Sequence, residues 1–155
     1  MIPALTPELG TMSPAAIAKV DALAAECRHQ PQVDILTTHT LHAGMYARTI
    51  RIPAGVLLTG TLLRVPTLLI FSGDALIYTG ADTPMSLQGY HVLRGEIGRK
   101  QAFLARADTD LTMVFPTNAK TITEAEDECT SEAHLLFSRK PGALNLITYD
   151  QEHPS

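Results

Sequence analysis

The residues in this chain whose types suit chemistry are few and scattered. His39 and His42 stand three apart in His39-Thr-Leu-His42-Ala-Gly44. That spacing sets two imidazoles on one face of a helix but on opposite faces of a strand. Strand-forming residues surround the pair and Gly44 follows it, so a strand or turn is the better reading, with two ordinary surface or hydrogen-bonded histidines. His91, between Tyr90 and Val92, faces either an interior or solvent, and a lone histidine in that setting is more often structural than catalytic. Arg48, Arg51, Arg64, Arg94, Arg99 and Lys100 are spread over predicted strands and loops. An arginine fork inside an apolar cavity binds a carboxylate or a phosphate bidentately. The plainer reading is that most of these cations are solvated or pair with Asp74, Asp108 and Asp110. Cys27 and Cys129 show no Cys-x-x-Cys or Cys/His ligand spacing and read as reduced thiols, with a disulfide between the two terminal helices as the minor alternative. No serine sits in a nucleophile-elbow context and no Gly-rich phosphate loop precedes a helix. Nothing among these groups requires an enzyme.

The elements that must position them are mostly strands. From residue 45 to 110, short runs of Val, Ile, Leu, Thr, Tyr and Phe are broken by Gly, Pro and Asp every eight to twelve residues or so, the spacing of a small antiparallel sandwich or barrel. Alternation from Tyr46 to Ile52 predicts a strand closed by the Pro53-Ala54-Gly55 turn. Further strands are expected over 56–63 and 67–71, then 75–79 after a tight Ser72-Gly73-Asp74 hairpin. Residues 85–88 and 90–93 read as short strands divided by Gly89, and 95–100 as a polar loop. Strands 101–106 and 111–115 are expected to form a last hairpin.

Helices flank this core. Ser13-Pro14 is a cap followed by proline at the first helical position, and Ile17, Val20, Leu23, Ala24 and Cys27 recur at helical spacing, predicting a helix over 14–29. Thr123-x-x-Glu126 has a capping-box pattern, predicting a second helix over 124–138 with Ala125, Cys129, Ala133, Leu136 and Phe137 on its apolar face. Residues 1–12 read as an extended arm making contacts outside its own core, and 144–149 as an edge strand or arm. The division is thus an arm and helix over 1–36, a barrel over 37–117, and a helix and tail over 118–155.

Composition bounds the function. A chain of 155 residues is one domain's worth and buries a core without staples. Its formal charge of −4 and pI near 5.8 offer no counterion-releasing surface, which argues against nucleic acid or an anionic membrane as partner. The apolar run over 65–71 is too short to span a bilayer and no signal-peptide pattern opens the chain, so a soluble protein made inside a cell is expected.

The Gly-punctuated core resembles the cupin superfamily, and more closely the short cupin-like proteins of bacteriophages and prophages. The resemblance runs over roughly 37–128. It is carried by Tyr46-x-Arg48, Ile52-Pro53-Ala54-Gly55, Thr59-Gly60, Ser72-Gly73, Thr79, Gly98-Arg99-Lys100, Asp108-Thr109, and Thr123 with Glu126 and Glu128. It implies a mainly β, cupin-like antiparallel sandwich or barrel flanked by an N-terminal and a C-terminal helix. In metal-binding cupins, two histidines, a glutamate and a further histidine occupy the positions that match Thr61, Leu63, Thr67 and Gln101 here. None of these is a credible transition-metal ligand. No metal or other cofactor is therefore expected, and the barrel interior should be apolar and neutral.

The resemblance implies a non-catalytic bacteriophage protein working through protein contacts, as a virion component or in assembly, made in the host cytoplasm. The alternative is a small-molecule cupin enzyme or sensor, such as a sugar isomerase or metal dioxygenase with an atypical site. His39, His42, Tyr46, Arg48, His91 and Arg99 are the candidate pocket or interaction residues. With 45% of residues in the hydrophobic class and 18% charged, an isolated sandwich leaves an apolar face to cover. A homodimer is the first expectation and a ring, free or on a virion, the second, with 1–12 and 144–149 crossing the subunit boundary.

Overall fold

In the computed structural model, which describes residues 8–149, β-branched and aromatic runs pair as strands wherever one of their faces can be buried. The strands are β1 (Glu8–Leu9), β2 (Leu36–His42), β3 (Met45–Ile52), β4 (Leu57–Thr59), β5 (Thr67–Tyr78), β6 (Met85–Gly95), β7 (Ala102–Ala105), β8 (Thr109–Pro116) and β9 (Leu144–Tyr149). Their order is β1-β6-β5-β8-β3-β2-β9, with β7 attached to β5 and β4 to β7. The inner pairings are antiparallel, whereas β1 joins β6 and β9 joins β2 in parallel. The result is mainly β, an open mixed sheet with two helices.

One branch point shapes the sheet. The chain does not turn back at Ser72-Gly73-Asp74; β5 runs straight through it. Its first half, Leu68–Ser72, pairs with β8, and its second, Ala75–Tyr78, pairs with β7. At the crossing Gly73 has φ +153°, and a Cβ there would lie 2.4 Å from Thr109 Oγ1. Gly73 is opposite Gly89, which does not divide β6 either. The two glycines let a long hairpin bend from one layer into the next without breaking its ladder. For the same reason β7 and β8 are no hairpin: β7 pairs with β4 and β5, β8 with β3 and β5, so 106–108 carries the chain between layers.

Between the layers lies a core that includes Tyr46, Ile52, Leu58, Leu69, Phe71, Ile77, Leu93, Phe103 and Phe115. Three other expected elements end differently. The strand expected over 56–63 is confined to β4, because from Gly60 onward the backbone leaves β7 to touch other partners, Leu63 bridging to Arg99 and to Thr130. The segment over 95–100 is not a polar surface loop, since Arg99 and Lys100 are buried. The arm over 8–12 serves its own chain: Leu9 and Met12 are buried against the barrel and the first helix. Residues 1–7 and 150–155 lie outside the described residues.

Helix α1 (Pro14–Cys27) starts as its cap signal indicates, with Ser13 Oγ accepting from Ala16 N at 3.1 Å. Ala16 packs so closely on Gly80 that a Cβ there would lie 2.8 Å from the alanine's own. Helix α2 (Ile122–Cys129) is capped by Thr121, not Thr123: Thr121 Oγ1 accepts from Glu124 N at 3.2 Å. It ends far short of residue 138 because Thr130 turns to extended backbone and donates to Leu62 O at 2.5 Å. Two short 3-10 turns, Ala133–Leu135 and Phe137–Arg139, keep Ala133 and Leu136 buried, as the expected apolar face requires. The edge strand β9 is present, and it pairs with β2 of its own chain, so the sheet draws on residues outside 37–117 at both ends.

Candidate functional site

Strand alternation decides the fate of the histidines. In β2 the buried positions are Thr37, His39 and Leu41, so His39 points inward while His42 is exposed, on the opposite face. His39 is stacked beside Tyr46 at 6.0 Å between ring centroids and 17° between planes. Its Nδ1 lies 2.7 Å from the Tyr46 hydroxyl and its Nε2 lies 2.7 Å from Asn145 Oδ1. Asn145 Nδ2 donates to Ser138 O, which leaves Oδ1 as the acceptor facing the ring. His39 therefore carries its proton on Nε2, and the tyrosine hydroxyl donates to Nδ1.

Arg48, two residues along β3 from Tyr46, shares its inward face. Its Nη1 donates to Glu126 Oε2 at 2.8 Å, to Ser138 Oγ at 3.0 Å and, more distantly, to the Tyr46 hydroxyl at 3.4 Å. Glu126 also accepts from the Ser138 hydroxyl and from Arg139 Nε at 3.0 Å, and Arg139 reaches Asp127 Oδ1 at 2.9 Å. Five elements thus meet in one polar chain, buried at His39, Tyr46, Arg48 and Glu126 and reaching the surface at Asn145, with the half-buried Ser138 and Arg139 closing it. The Glu126 pattern that reads as a helix cap in sequence is in fact the anchor of this network. Asn145, Ser138 and Arg139 carry no local signal at all, because their roles arise from pairings across the whole chain.

Burial and charge set the protonation states. Burial lowers the pKa of His39 from its ordinary 6.5, with the Arg48 cation adding to that effect. Tyr46 is raised to about 12 by burial. For Glu126 burial pushes upward, but the hydrogen bonds from Ser138 and Arg139 and the charge of Arg48 outweigh it, so its pKa falls below the ordinary 4.5. Both His39 and Glu126 have folded-state values below their unfolded ones. Each therefore contributes stability that is complete above its unfolded value and is lost as pH falls through the folded one. Stability is expected to decline first below about pH 6.5 as His39 is forced to protonate, and again below about pH 4.5 as Glu126 does. Urea midpoints followed from pH 8 to 4 check this, and a His39→Gln chain should lose the first of the two declines.

The cavity between the layers, about 110 Å³, is lined by Arg48, Ile50, Leu58, Thr59, Gly60, Thr61, Leu69, Phe103, Leu111 and Met113, among others, with Leu135, Leu136 and Phe137 along one side. Thr61, Leu63 and Gln101 line it, whereas Thr67 accepts from Arg99 Nη2 at 2.6 Å. These donors do not fit a transition metal: a hydroxyl, an aliphatic chain and an amide supply neither imidazole nor carboxylate. No cluster of three or more His, Cys, Asp or Glu suited to a metal occurs among the described residues.

The expectation of a neutral interior fails, however. Arg48 and Arg99 both line the cavity. Arg48 is tolerated because α2 delivers Glu126 to it. Arg99 is fully buried against Gly95, where a Cβ would lie 2.5 Å from its Cζ, and Nη1 donates to Glu96 O. Burial lowers its pKa to about 10. Lys100 turns away from the cavity to Asp21 at 2.6 Å and Glu132 at 3.1 Å.

The other candidates do not join the site. His91 lies tilted beside Phe71, 6.3 Å between ring centroids, and its Nε2 is 2.7 Å from Gln88 O. Arg51 makes exposed pairs with Asp108 and Asp110, and Arg106, not singled out by the sequence, holds Asp74. Cys27 and Cys129 are free thiols; burial raises Cys129 to about 11, which leaves it a poor nucleophile. No helix among the described residues is long and apolar enough to cross a membrane.

No family model and no curated protein matches the chain. Among solved structures, a double-stranded β-helix protein from Klebsiella pneumoniae is similar over 61% of this chain and 83% of its own, at 13% identity and a TM-score of 0.46. A cupin superfamily protein from Desulfitobacterium hafniense is similar over 74% of this chain and 100% of its own, at 15% identity and a TM-score of 0.46. A salicylate 1,2-dioxygenase from Pseudaminobacter salicylatoxidans is similar over 74% of this chain and 35% of its own, at 16% identity and a TM-score of 0.47.

Proposed function

We propose that this chain is a cupin-fold module that works through protein contacts without a resident transition metal, as a component of a bacteriophage particle or of its assembly. The phage setting rests on the sequence resemblance alone. The observation that supports a contact role is the outer face of β3, β8, β5 and β6. Cross-strand register aligns Ala47, Val114 and Leu68 in one row and Thr49, Thr112, Ile70 and Val92 in the next, all on the side away from the core. Leu68 is 51% exposed, Val92 45%, Tyr90 68% and Met45 45%. A face of this kind, apolar and wide, is a contact surface more often than bare protein surface.

The occupant is a second copy of the same chain. The patch is bounded by paired charges of both signs, Arg94 with Glu8 at 2.8 Å along one edge and Arg51 with Asp110 at 3.2 Å along another. A two-fold axis through such a patch brings opposite charges together across the boundary and needs no other surface. Light scattering at micromolar concentration should report a dimer, and a Leu68→Glu, Val92→Glu double variant should be monomeric with an unchanged thermal midpoint. A monomeric wild-type chain sinks the contact reading. A second reading, a small-molecule sensor or enzyme, is favoured by the cavity with its two arginines. Metal analysis of protein purified without added metal separates the metalloenzyme form of it: about one equivalent of iron, nickel, manganese or zinc per chain overturns the metal-free proposal.

A further inference from the structure

The polar groups that line the cavity are already engaged, and none brings an uncompensated charge into it. Arg48 Nη1 donates to the Glu126 carboxylate at 2.8 Å, and Arg139, which shares that carboxylate, also has Asp127 at 2.9 Å. The Arg99 guanidinium is turned to Gly95, Glu96 O and Thr67, away from the cavity. Cys129 Sγ donates to Glu126 O at 3.3 Å, and Gln101 Nε2 is directed at Met12 Sδ, 3.9 Å away. The rest of the wall is largely hydrocarbon, from Ile50, Leu58, Leu69, Phe103, Leu111 and Met113. A buried water needs about three polar partners, so a space walled in this way favours an apolar guest over water.

The segment along one side of the cavity is pinned at its two ends and apolar between them. Thr130 Oγ1 donates to Leu62 O and Glu132 holds Lys100 at one end, while Arg139 holds Glu126 and Asp127 at the other. Between these pins Leu135 lines the cavity and is also 42% exposed, and half-buried Thr61 lines it too. Side chains that touch both the cavity and solvent mark its entrance, and an apolar entrance turns away a charged molecule, which would have to shed its water there. An apolar cavity of about 150 Å³ accepts benzene. The cavity here, about 110 Å³, therefore admits a smaller body, of roughly four or five carbons. No Arg48 nitrogen is buried without a partner, so Nε and Nη2, which make no hydrogen bond among the described residues, meet open volume. One acceptor oxygen on the guest satisfies a donor there without adding charge.

We propose that the cavity binds a small uncharged aliphatic molecule with one acceptor oxygen, a ketone of about five carbons being the type, entering between Thr61 and Leu135. This gives the small-molecule reading a ligand class and needs neither a metal nor a reaction. The cavity lies between the layers and the dimer face on the outer surface, so each stands or falls independently of the other.

The test uses the full chain and 2-pentanone as probe, read by methyl NMR titration and by thermal shift. The ketone should bind saturably, one per chain, with a dissociation constant below about 5 mM, within reach of so small a ligand. Pentanoate and pentylammonium match its chain and add a charge of either sign; each should bind at least about tenfold more weakly. So should 2-nonanone, which is more hydrophobic but overfills the cavity, an order that partition onto an exposed apolar face would reverse. Thr61→Phe fills the cavity from a half-buried position outside the Arg48 network and should lose the ketone at least about tenfold while keeping its ligand-free midpoint. If that chain fails to fold, the comparisons on the wild-type chain decide. The Leu68→Glu, Val92→Glu double variant should bind 2-pentanone unchanged, whatever its oligomeric state. Absence of saturable binding, equal affinity for either charged analogue, tighter binding of 2-nonanone, full binding in a folded Thr61→Phe, or loss of binding in the outer-face variant would each overturn the proposal.

Discussion

Replacing Glu126 with alanine is expected to destabilise the fold by about 3–5 kcal/mol, the range for removing one partner of a buried ion pair. Arg48 and Glu126 have side chains only 8% and 3% exposed, and Arg139 pairs with the same carboxylate. The substitution leaves Arg48 buried without its anion and strips a hydrogen bond each from Ser138 and Arg139. Most of that loss is the penalty on the stranded cation, not the net worth of the pair. The corresponding double variant, Glu126→Ala with Arg48→Met, should therefore be more stable than Glu126→Ala alone, and a double-mutant cycle in urea measures the coupling. A single-variant loss under about 1 kcal/mol would mean that water reaches Arg48 freely, contrary to its burial.

Gly73→Ala is the second large effect, expected to exceed about 3 kcal/mol. At φ +153° the backbone is in a region that side chains rarely adopt, and the added Cβ would lie 2.4 Å from Thr109 Oγ1 and 2.7 Å from Thr109 Cα. Trimming Thr109 cannot rescue it fully, because the second contact is to backbone. Gly89→Ala, on the opposite strand at φ +91° with nothing within 4 Å of the new atom, should cost only about 1–2 kcal/mol from conformation alone. Parallel urea titrations of the two variants give the comparison, and equal losses would show that the close approach of β8 is not what requires the glycine.

These same glycines explain how far the sequence could be read. Gly44 and Gly55 sit in turns with positive φ, and β3, which lies between them, falls where alternation puts it. Ser72-Gly73-Asp74 has the same composition as a turn, yet its glycine makes room for a crossing strand, and nothing local distinguishes the two uses. Reading it as a hairpin also produced the false β7 to β8 hairpin, since both errors come from missing one bend between layers. The site was legible in its strand half. Tyr46 and Arg48 share an alternating face, and odd spacing separates His39 from His42. Its other half was not, because Glu126 and Ser138 reach Arg48, and Asn145 reaches His39, only after α2 and β9 have docked. A hydrogen bond joining residues 106 positions apart leaves no trace in either neighbourhood.

The parallel pairing of β9 with β2 has a consequence for the time course of folding. Strand β2 is among the first segments of the barrel to leave the ribosome, yet its outer partner begins at Leu144. Until β9 has been made, β2 presents an open row of backbone donors and acceptors on that edge, with His39 lacking the acceptor for its Nε2 proton. Long-range parallel pairings form slowly, and an unpaired edge recruits whatever strand meets it first. Nascent chains should accordingly be most prone to aggregate in the interval before residue 149 emerges, and chaperone dependence should be set by that interval.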